Sequence, residues 1–203
     1  MPLPAARVLG APGRGPFRPP EEVTVTDPHP TDRLEALEGR LRRLEDAESL
    51  RALKWRYAEL ADARYRDGAP LDGEALARLA DELAALFTED AVWDGGPALG
   101  VCRGRSAIRE RFLSPTLHFS RHYFANPRLE IEGDTARGRW EVFAPCTLRD
   151  GRAAWMAGVE HDAYRREGER WLHAAMRLEV FFLAPFERGW GERAAREPAR
   201  RSS

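Results

Sequence analysis

The sequence predicts an α+β fold: a cone-shaped, curved and mostly antiparallel sheet closed by about three N-terminal helices. Three observations carry this. Apolar residues recur at helical spacing through most of the first half of the chain, and at a period of two from Leu117 onward. Turn-forming pairs in the second half fall between the period-two runs, as in a meander of hairpins. Two of those runs, Ala136 to Leu148 and Arg170 to Leu183, are long enough that the sheet must twist and curl. Helices packed on one face of such a sheet leave an open-mouthed cavity suited to a small apolar ligand.

Residues 1–31 are rich in Pro, Gly and Arg and are read as a disordered leader. Asp32 is placed to cap a helix. Leu34, Leu37, Leu41 and Leu44 then follow a coiled-coil spacing for less than two heptads, which suggests a helical arm at 32–46 packing on a second copy. The register slips to Ala47, Leu50, Leu53, Tyr57 and Leu60, and the helix is expected to end near Arg66, before Asp67-Gly68-Ala69-Pro70. Asp72 is read as the cap of a second helix with Leu76, Leu79, Leu83 and Leu86 on one stripe, widened by Ala80 and Phe87. Ala91 to Trp93 reads as a short strand ended by Gly95-Gly96-Pro97. A third helix spans about Ser106 to Leu113, with Ser106 as its cap and Ile108 and Phe112 inward.

Five strands follow: His118 to Ala125, Arg128 to Glu132, Ala136 to Leu148, Ala153 to Arg165 and Arg170 to Leu183. In the third, Ala136, Gly138, Trp140, Val142, Ala144, Cys146 and Leu148 share one face, and Arg137, Arg139 and Glu141 the other. The last alternates through Leu172, Ala174, Met176, Leu178, Val180 and Phe182. Gly138 and Gly158 are candidate kinks. The cone domain is expected at 47–190 and a disordered tail at 191–203.

The 203 residues suffice for one domain with a core. The formal net charge of -1 gives no electrostatic case for nucleic acid or an anionic membrane. No run approaches the 18 or so apolar residues of a membrane span, and no signal-peptide core is present, so a cytoplasmic protein is the default. Cys102 and Cys146 are too few for a disulfide framework or a zinc site, and no H-x-H or H-E-x-x-H pattern occurs. Lys54 is the only lysine beside many arginines, a bias read as base composition.

Among polar residues, Asp62 is the sharpest signal: a carboxylate late in an apolar helix is costly to bury unless paired. Spacing leaves it a second choice, to face solvent beside Arg66. Tyr57 lies five residues earlier, about 140° away around an ideal helix, so both reach one cavity only if the helix spans a wide mouth. His122 shares strand parity with His118 and Phe124, whereas His161 and His173 are read as able to face solvent.

The segments ESLRALKWRYAELAD, LAALFTEDAVWDGG, CRGRSAIRERF, RHYFANPRLEIEGDTARGRWEV and WLHAAMRLEVFFLAPFERGW follow one another in this chain. Their succession resembles the SnoaL-like branch of the nuclear-transport-factor-2-like superfamily, over about Leu44 to Trp190. The helix carrying Tyr57 and Asp62 looks especially like that of the bile acid 7α-dehydratases, and is similar to those of scytalone dehydratases and polyketide cyclases. The resemblance implies a homodimer or homotrimer and no metal or organic cofactor. It implies catalytic roles for Tyr57, Asp62 and His122, the last as the histidine of an H-x-x-x-N segment ending at Asn126. Trp93, Phe124, Asn126, Trp140, Met156 and Glu179 are the residues expected to wall the pocket. The chain departs from the bile acid enzymes at Ala125 and Glu179, where those carry histidine and arginine.

Two functions from different classes are open. One is a cofactor-independent lyase, isomerase or cyclase moving a proton on a small apolar polycyclic, aromatic or polyketide-like substrate. In it Asp62 orients His122 and Tyr57 donates a hydrogen bond. The other is a non-catalytic ligand-binding or assembly module, similar to the small β subunits of ring-hydroxylating dioxygenases. Whether Asp62 and His122 meet inside a pocket discriminates them.

Overall fold

The computed structural model describes residues 29–187. The chain divides into two units between Leu37 and Glu38. What is described of the first is the opening of helix α1, which runs unbroken from Pro30 to Ala63. The expected boundary between an arm at 32–46 and a domain at 47–190 therefore falls in mid-helix. Residues 1–28 of the expected leader, the last three residues of the expected domain and the whole expected tail lie outside the described residues. Pro30 can open α1 because the first helical N–H needs no partner. Asp32, read as the cap, lies instead within the first turn, where its charge meets the positive end of the helix.

Helix α1 stops at Ala63, short of Arg66. Two-residue strands β1 (Tyr65–Arg66) and β2 (Ala69–Pro70) follow. Asp67 and Gly68 between them both have positive φ, 53° and 76°, the hairpin turn that an Asp-Gly pair favours. Helix α2 (Gly73–Ala84) buries Leu76, Ala80 and Leu83. Asp72 holds its cap position in extended conformation, but its side chain makes no capping hydrogen bond. The spacing that continues to Phe87 passes out of the helix, and Phe87 opens strand β3 (Phe87–Asp94). A single turn, α3 (Gly96–Leu99), and strand β4 (Val101–Arg103) lead to α4 (Arg105–Phe112). Gly104, not Ser106, takes the cap position of α4, and Ile108 and Phe112 are buried as expected.

The remaining strands are β5 (Phe119–Ser120), β6 (Tyr123–Glu132), β7 (Thr135–Thr147), β8 (Ala153–Glu167) and β9 (Arg170–Pro185). The sheet order is β4-β3-β9-β8-β7, with β5 and β6 both paired to β7. Strands β3 and β9 run parallel and every other pair is antiparallel, so the sheet is mixed. The parity read from β7 holds: Ala136, Trp140, Val142, Ala144 and Cys146 are buried. The register shifts between Ala125 and Arg128, Ala157 and Gly158, Ala163 and Tyr164, and, on β3, Phe87 and Val92. Gly158 is the kink expected of it: a Cβ there would stand 2.4 Å from the Glu179 carbonyl oxygen. Gly138 is not a kink, because β7 keeps its register with β8 there. Its missing side chain instead admits the Tyr164 ring, 2.8 Å from where a Cβ would be.

On β8, Glu160, Asp162 and Tyr164 pair with Trp140, Gly138 and Ala136 of β7, so two carboxylates point to the inner face. Lys54 of α1 meets them: its Nζ donates to Glu160 Oε2 and, at 2.8 Å, to Asp162 Oδ2. All three side chains are buried. The Tyr164 hydroxyl donates to Asp162 at 2.7 Å and accepts from Trp140 Nε1 at 2.8 Å. Burial alone would lower the Lys54 pKa, but Asp162 and Glu160 outweigh it and the net shift is upward. One ammonium serves two carboxylates, so burial holds the Glu160 carboxyl above its usual range, with Lys54 offsetting part of the effect.

His173 corrects the reading that it can face solvent. It is wholly buried, because the irregularity opposite Ala163 and Tyr164 shifts the parity of β9 and sets His173 against Tyr164. Its ring lies 5.0 Å from Tyr164, 5.1 Å from Phe87 and 5.8 Å from Tyr57, and neither ring nitrogen has a hydrogen-bond partner. Burial depresses its pKa to about 3, against the pull of Asp162, so the ring is neutral near pH 7.

Two stability predictions follow from this packing. Gly158→Ala forces a methyl into the Glu179 carbonyl and should cost about 1–3 kcal/mol, measured by urea unfolding; an unchanged midpoint would remove the close-approach account. For His173 the sign is fixed by proton counting. Between pH 6.5 and about 3 the unfolded chain binds a proton that the folded chain refuses, so stability falls as pH drops through that window. His173→Phe, which also removes two unpaired nitrogens, should therefore be near neutral at pH 7. It should lose less stability than the parent on acidification to pH 4.5, by on the order of a few kcal/mol.

Candidate functional site

The site begins at an interrupted edge. Strands β5 and β6 share one continuous register with β7, which would place Arg121 opposite Pro145. Pro145 has no N–H to return, so the ladder lapses between Ser120 and Tyr123, and the expected single strand from His118 to Ala125 is split. Arg121 N still donates to the Pro145 carbonyl at 3.1 Å. The next backbone N–H, that of His122, points away from the sheet to Asp62, 3.1 Å from each carboxylate oxygen.

Asp62 stands one residue before the end of α1, where the helix dipole disfavours a carboxylate. His122 compensates twice, by its backbone N–H and by its ring: Nδ1 lies 2.7 Å from Asp62 Oδ1. A carboxylate only accepts, so Nδ1 donates in this bond, which in a neutral ring leaves the lone pair on Nε2. Nε2 makes no hydrogen bond among the described residues. The imidazole stacks on Phe124, centroids 6.1 Å apart and planes at 12°. Arg121 Nε approaches Asp62 Oδ2 at 3.6 Å from an exposed side chain. Asp62 is buried, and Arg66, its alternative partner, is exposed.

Tyr57 is buried, and its hydroxyl accepts from Trp93 Nε1 at 3.4 Å. Its ring packs edge-on against Phe87 and Phe112, and tilted against Phe124 at 6.4 Å. Burial, with the Glu160 charge adding, raises its pKa far above the ordinary tyrosine value, so it is a neutral phenol. Its proton has no acceptor among the described residues.

Tyr57, His122 and Glu160 line one cavity of about 1010 Å³, at the large end of small-molecule sites. Trp93, Met156 and Glu179, three of the six residues expected in its wall, do line it. Three do not. Phe124 lies behind the wall as the support shared by Tyr57 and His122. Trp140 is deeper, bonded to Tyr164 beneath Lys54. Asn126 sits at the β6 irregularity with φ 49°, exposed, and its amide donates to Glu141 Oε2 at 2.7 Å. The five-residue separation of Tyr57 and Asp62 is reconciled simply. Tyr57 faces the cavity itself, whereas Asp62 acts on it through His122.

Lys54, Glu160, Asp162, Arg64 and Arg111 were not legible as site residues. One signal was available: the alternation that buries Trp140 also turns Glu160 and Asp162 inward once β8 is paired with β7. The lone lysine was a second signal, since it is a compact point charge where every other basic side chain is a guanidinium. Among the described residues no cluster of three metal-ligating side chains occurs.

The fold is similar to several solved structures. A hexachlorocyclohexane dehydrochlorinase (LinA, type 2) aligns with a TM-score of 0.61 at 21% identity, covering 72% of this chain and 93% of that one. A putative aromatic ring hydroxylase from Novosphingobium aromaticivorans gives 0.59 at 27% identity, covering 70% and 94%. A putative scytalone dehydratase from the same organism gives 0.59 at 18%, covering 71% and 89%. No curated protein matches the chain. The model of the SnoaL-like domain matches residues 42–177, about two thirds of the chain, and with this fold it establishes that the chain belongs to the SnoaL-like family of the nuclear-transport-factor-2-like superfamily.

Proposed function

We propose that the protein is a lyase that eliminates a small leaving group from a compact, largely apolar ring substrate, with His122 as general base. The observation that carries this is the 2.7 Å bond from His122 Nδ1 to a buried Asp62, beside a cavity that His122 itself lines. In such a step Nε2 takes a proton from a C–H bond, the electron pair forms a C=C bond, and the group on the neighbouring carbon leaves. Asp62 fixes the tautomer and stabilises the imidazolium that forms. Tyr57 donates its unused O–H to the oxygen on which charge develops, whether leaving group or carbonyl. The chemistry asks for no metal or organic cofactor. The dehydrochlorinase and the putative scytalone dehydratase are both named for eliminations, which supports the reaction class and leaves the substrate open.

The likeness to a putative aromatic ring hydroxylase favours a second reading, a non-catalytic module of a larger oxygenase. The Asp62–His122 pair supports the first over the second, since an assembly module has no use for an oriented imidazole beside a cavity. The partner proposed for the chain is a second copy of itself. Leu34, Leu37, Leu41 and Leu44 are 51–69% exposed, an apolar row that a soluble monomer seldom shows.

Asp62→Asn should lower kcat/KM by about 10²–10⁴-fold, on whichever of a panel of β-hydroxy and β-halo ring substrates the parent converts. Tyr57→Phe should cost less. Unchanged turnover in Asp62→Asn would end the elimination reading. Light scattering should give a dimer or trimer for the parent and a smaller species for Leu37→Ser/Leu41→Ser; a monomeric parent would exclude the self-association.

A further inference from the structure

Arg64 is a buried cation with no ion-pair partner among the described residues. It lines the cavity and is only 7% exposed. Its Nε donates to the Ala61 carbonyl at 3.1 Å and its Nη1 to the Phe112 carbonyl at 3.3 Å. Its Nη2 makes no hydrogen bond, and no carboxylate lies within ion-pair distance among the described residues. Its Cζ instead lies over the rings of Phe112 and Tyr65, at 5.1 and 5.5 Å. Burial lowers its pKa and the charge of Arg111 adds to that, while Tyr65, Tyr57 and the more distant Asp62 carboxylate pull it back up. A guanidinium nevertheless stays protonated in proteins.

Arg111 lines the same cavity and is half-buried. It bonds the Ser114 carbonyl at 2.8 Å and the Thr116 hydroxyl at 3.3 Å, packs 5.5 Å from the Trp93 ring, and has no carboxylate partner among the described residues. Of the three carboxylates of the cavity lining, two already face a cation and the third accepts a backbone N–H. Glu160 is held by Lys54, Glu179 lies 3.5 Å from His161 and 3.9 Å from Arg177, and Asp94 accepts the Gly96 N–H at 2.9 Å. Desolvating a charge is costly unless it is paired, and two neighbouring guanidiniums add mutual repulsion. Both guanidiniums are seated on carbonyls and aromatic faces, with donors left unused. The planar fork of arginine matches a carboxylate.

We propose that Arg64 and Arg111 form a carboxylate-binding pole of the cavity, so that the substrate is an apolar ring acid rather than a neutral hydrocarbon. This deepens the elimination reading and rests on it for the word substrate, but the binding claim stands on its own. The pole would fix one end of the molecule while Tyr57 and His122 address another part of it, and a bound anion would relieve the repulsion between the two arginines.

The test is calorimetric titration of the full chain with benzoate, 1-naphthoate and 1-pyrenecarboxylate, each against its primary amide. At least one acid should bind about tenfold or more tightly than its amide, since a charge-assisted pair replaces a neutral contact. Arg64→Gln and Arg111→Gln should bring the acid down toward the amide and leave the amide little changed. Should Arg64→Gln fail to fold, the half-buried Arg111 still gives a decisive variant. Asp62→Asn should keep the preference, which separates this claim from the chemistry: lost turnover with the preference intact supports both, and unchanged turnover with the preference intact overturns only the elimination. Equal affinity for acid and amide, no acid binding at millimolar concentration, or a preference that survives in the arginine variants overturns the carboxylate pole.

Discussion

One buried ammonium fixes where helix α1 lies on the sheet. Lys54 reaches Glu160 and Asp162 on β8, and both carboxylates are buried. Such a cluster is weak evidence for stability, because well-packed apolar residues would serve as well or better. It is strong in specifying position, since any slide or rotation of α1 would strand two carboxylates without their cation. Tyr57 follows three residues on and Asp62 eight on, so anchoring Lys54 also places the phenol against Trp93 and the carboxylate beside the interrupted edge strand.

The edge strand depends on that placement in turn. Pro145 breaks the ladder, the His122 backbone N–H turns outward, and a carboxylate at an unfavourable helix terminus becomes its acceptor. Each defect repairs the other: the unpaired N–H gains a partner and the carboxylate gains donors. The imidazole is thereby set by backbone as well as by side chain, the kind of double constraint that holds a catalytic base in one tautomer.

The core carries several features that an optimised scaffold would omit: two His173 nitrogens and an Asp162 Oδ1 without hydrogen bonds, a carboxyl in excess at Glu160, and an Arg64 with no ion-pair partner among the described residues. They lie around or behind one cavity wall. Concentration of unsatisfied polar groups at such a place is how a fold trades stability for a preorganised site.

Much of this protein was legible in its residues. Alternation along Ala136 to Leu148 settles the inner face of β7, Asp-Gly at 67–68 settles a turn, and a carboxylate late in an apolar helix marks Asp62 as requiring a partner. These are local consequences of side-chain period, backbone freedom and the cost of burying charge. Tertiary structure decided what period and spacing cannot reach. One irregularity opposite Ala163 and Tyr164 sends His173 inward, against the alternation of its strand. The β6 irregularity carries Asn126 out of the cavity, and Pro145 acts on Asp62 only through a neighbouring strand. Lys54 and its two carboxylates are more than a hundred residues apart in the chain. Which charges are buried together, and which of them lack partners, is a property of register between distant strands, and register is settled only when the sheet closes.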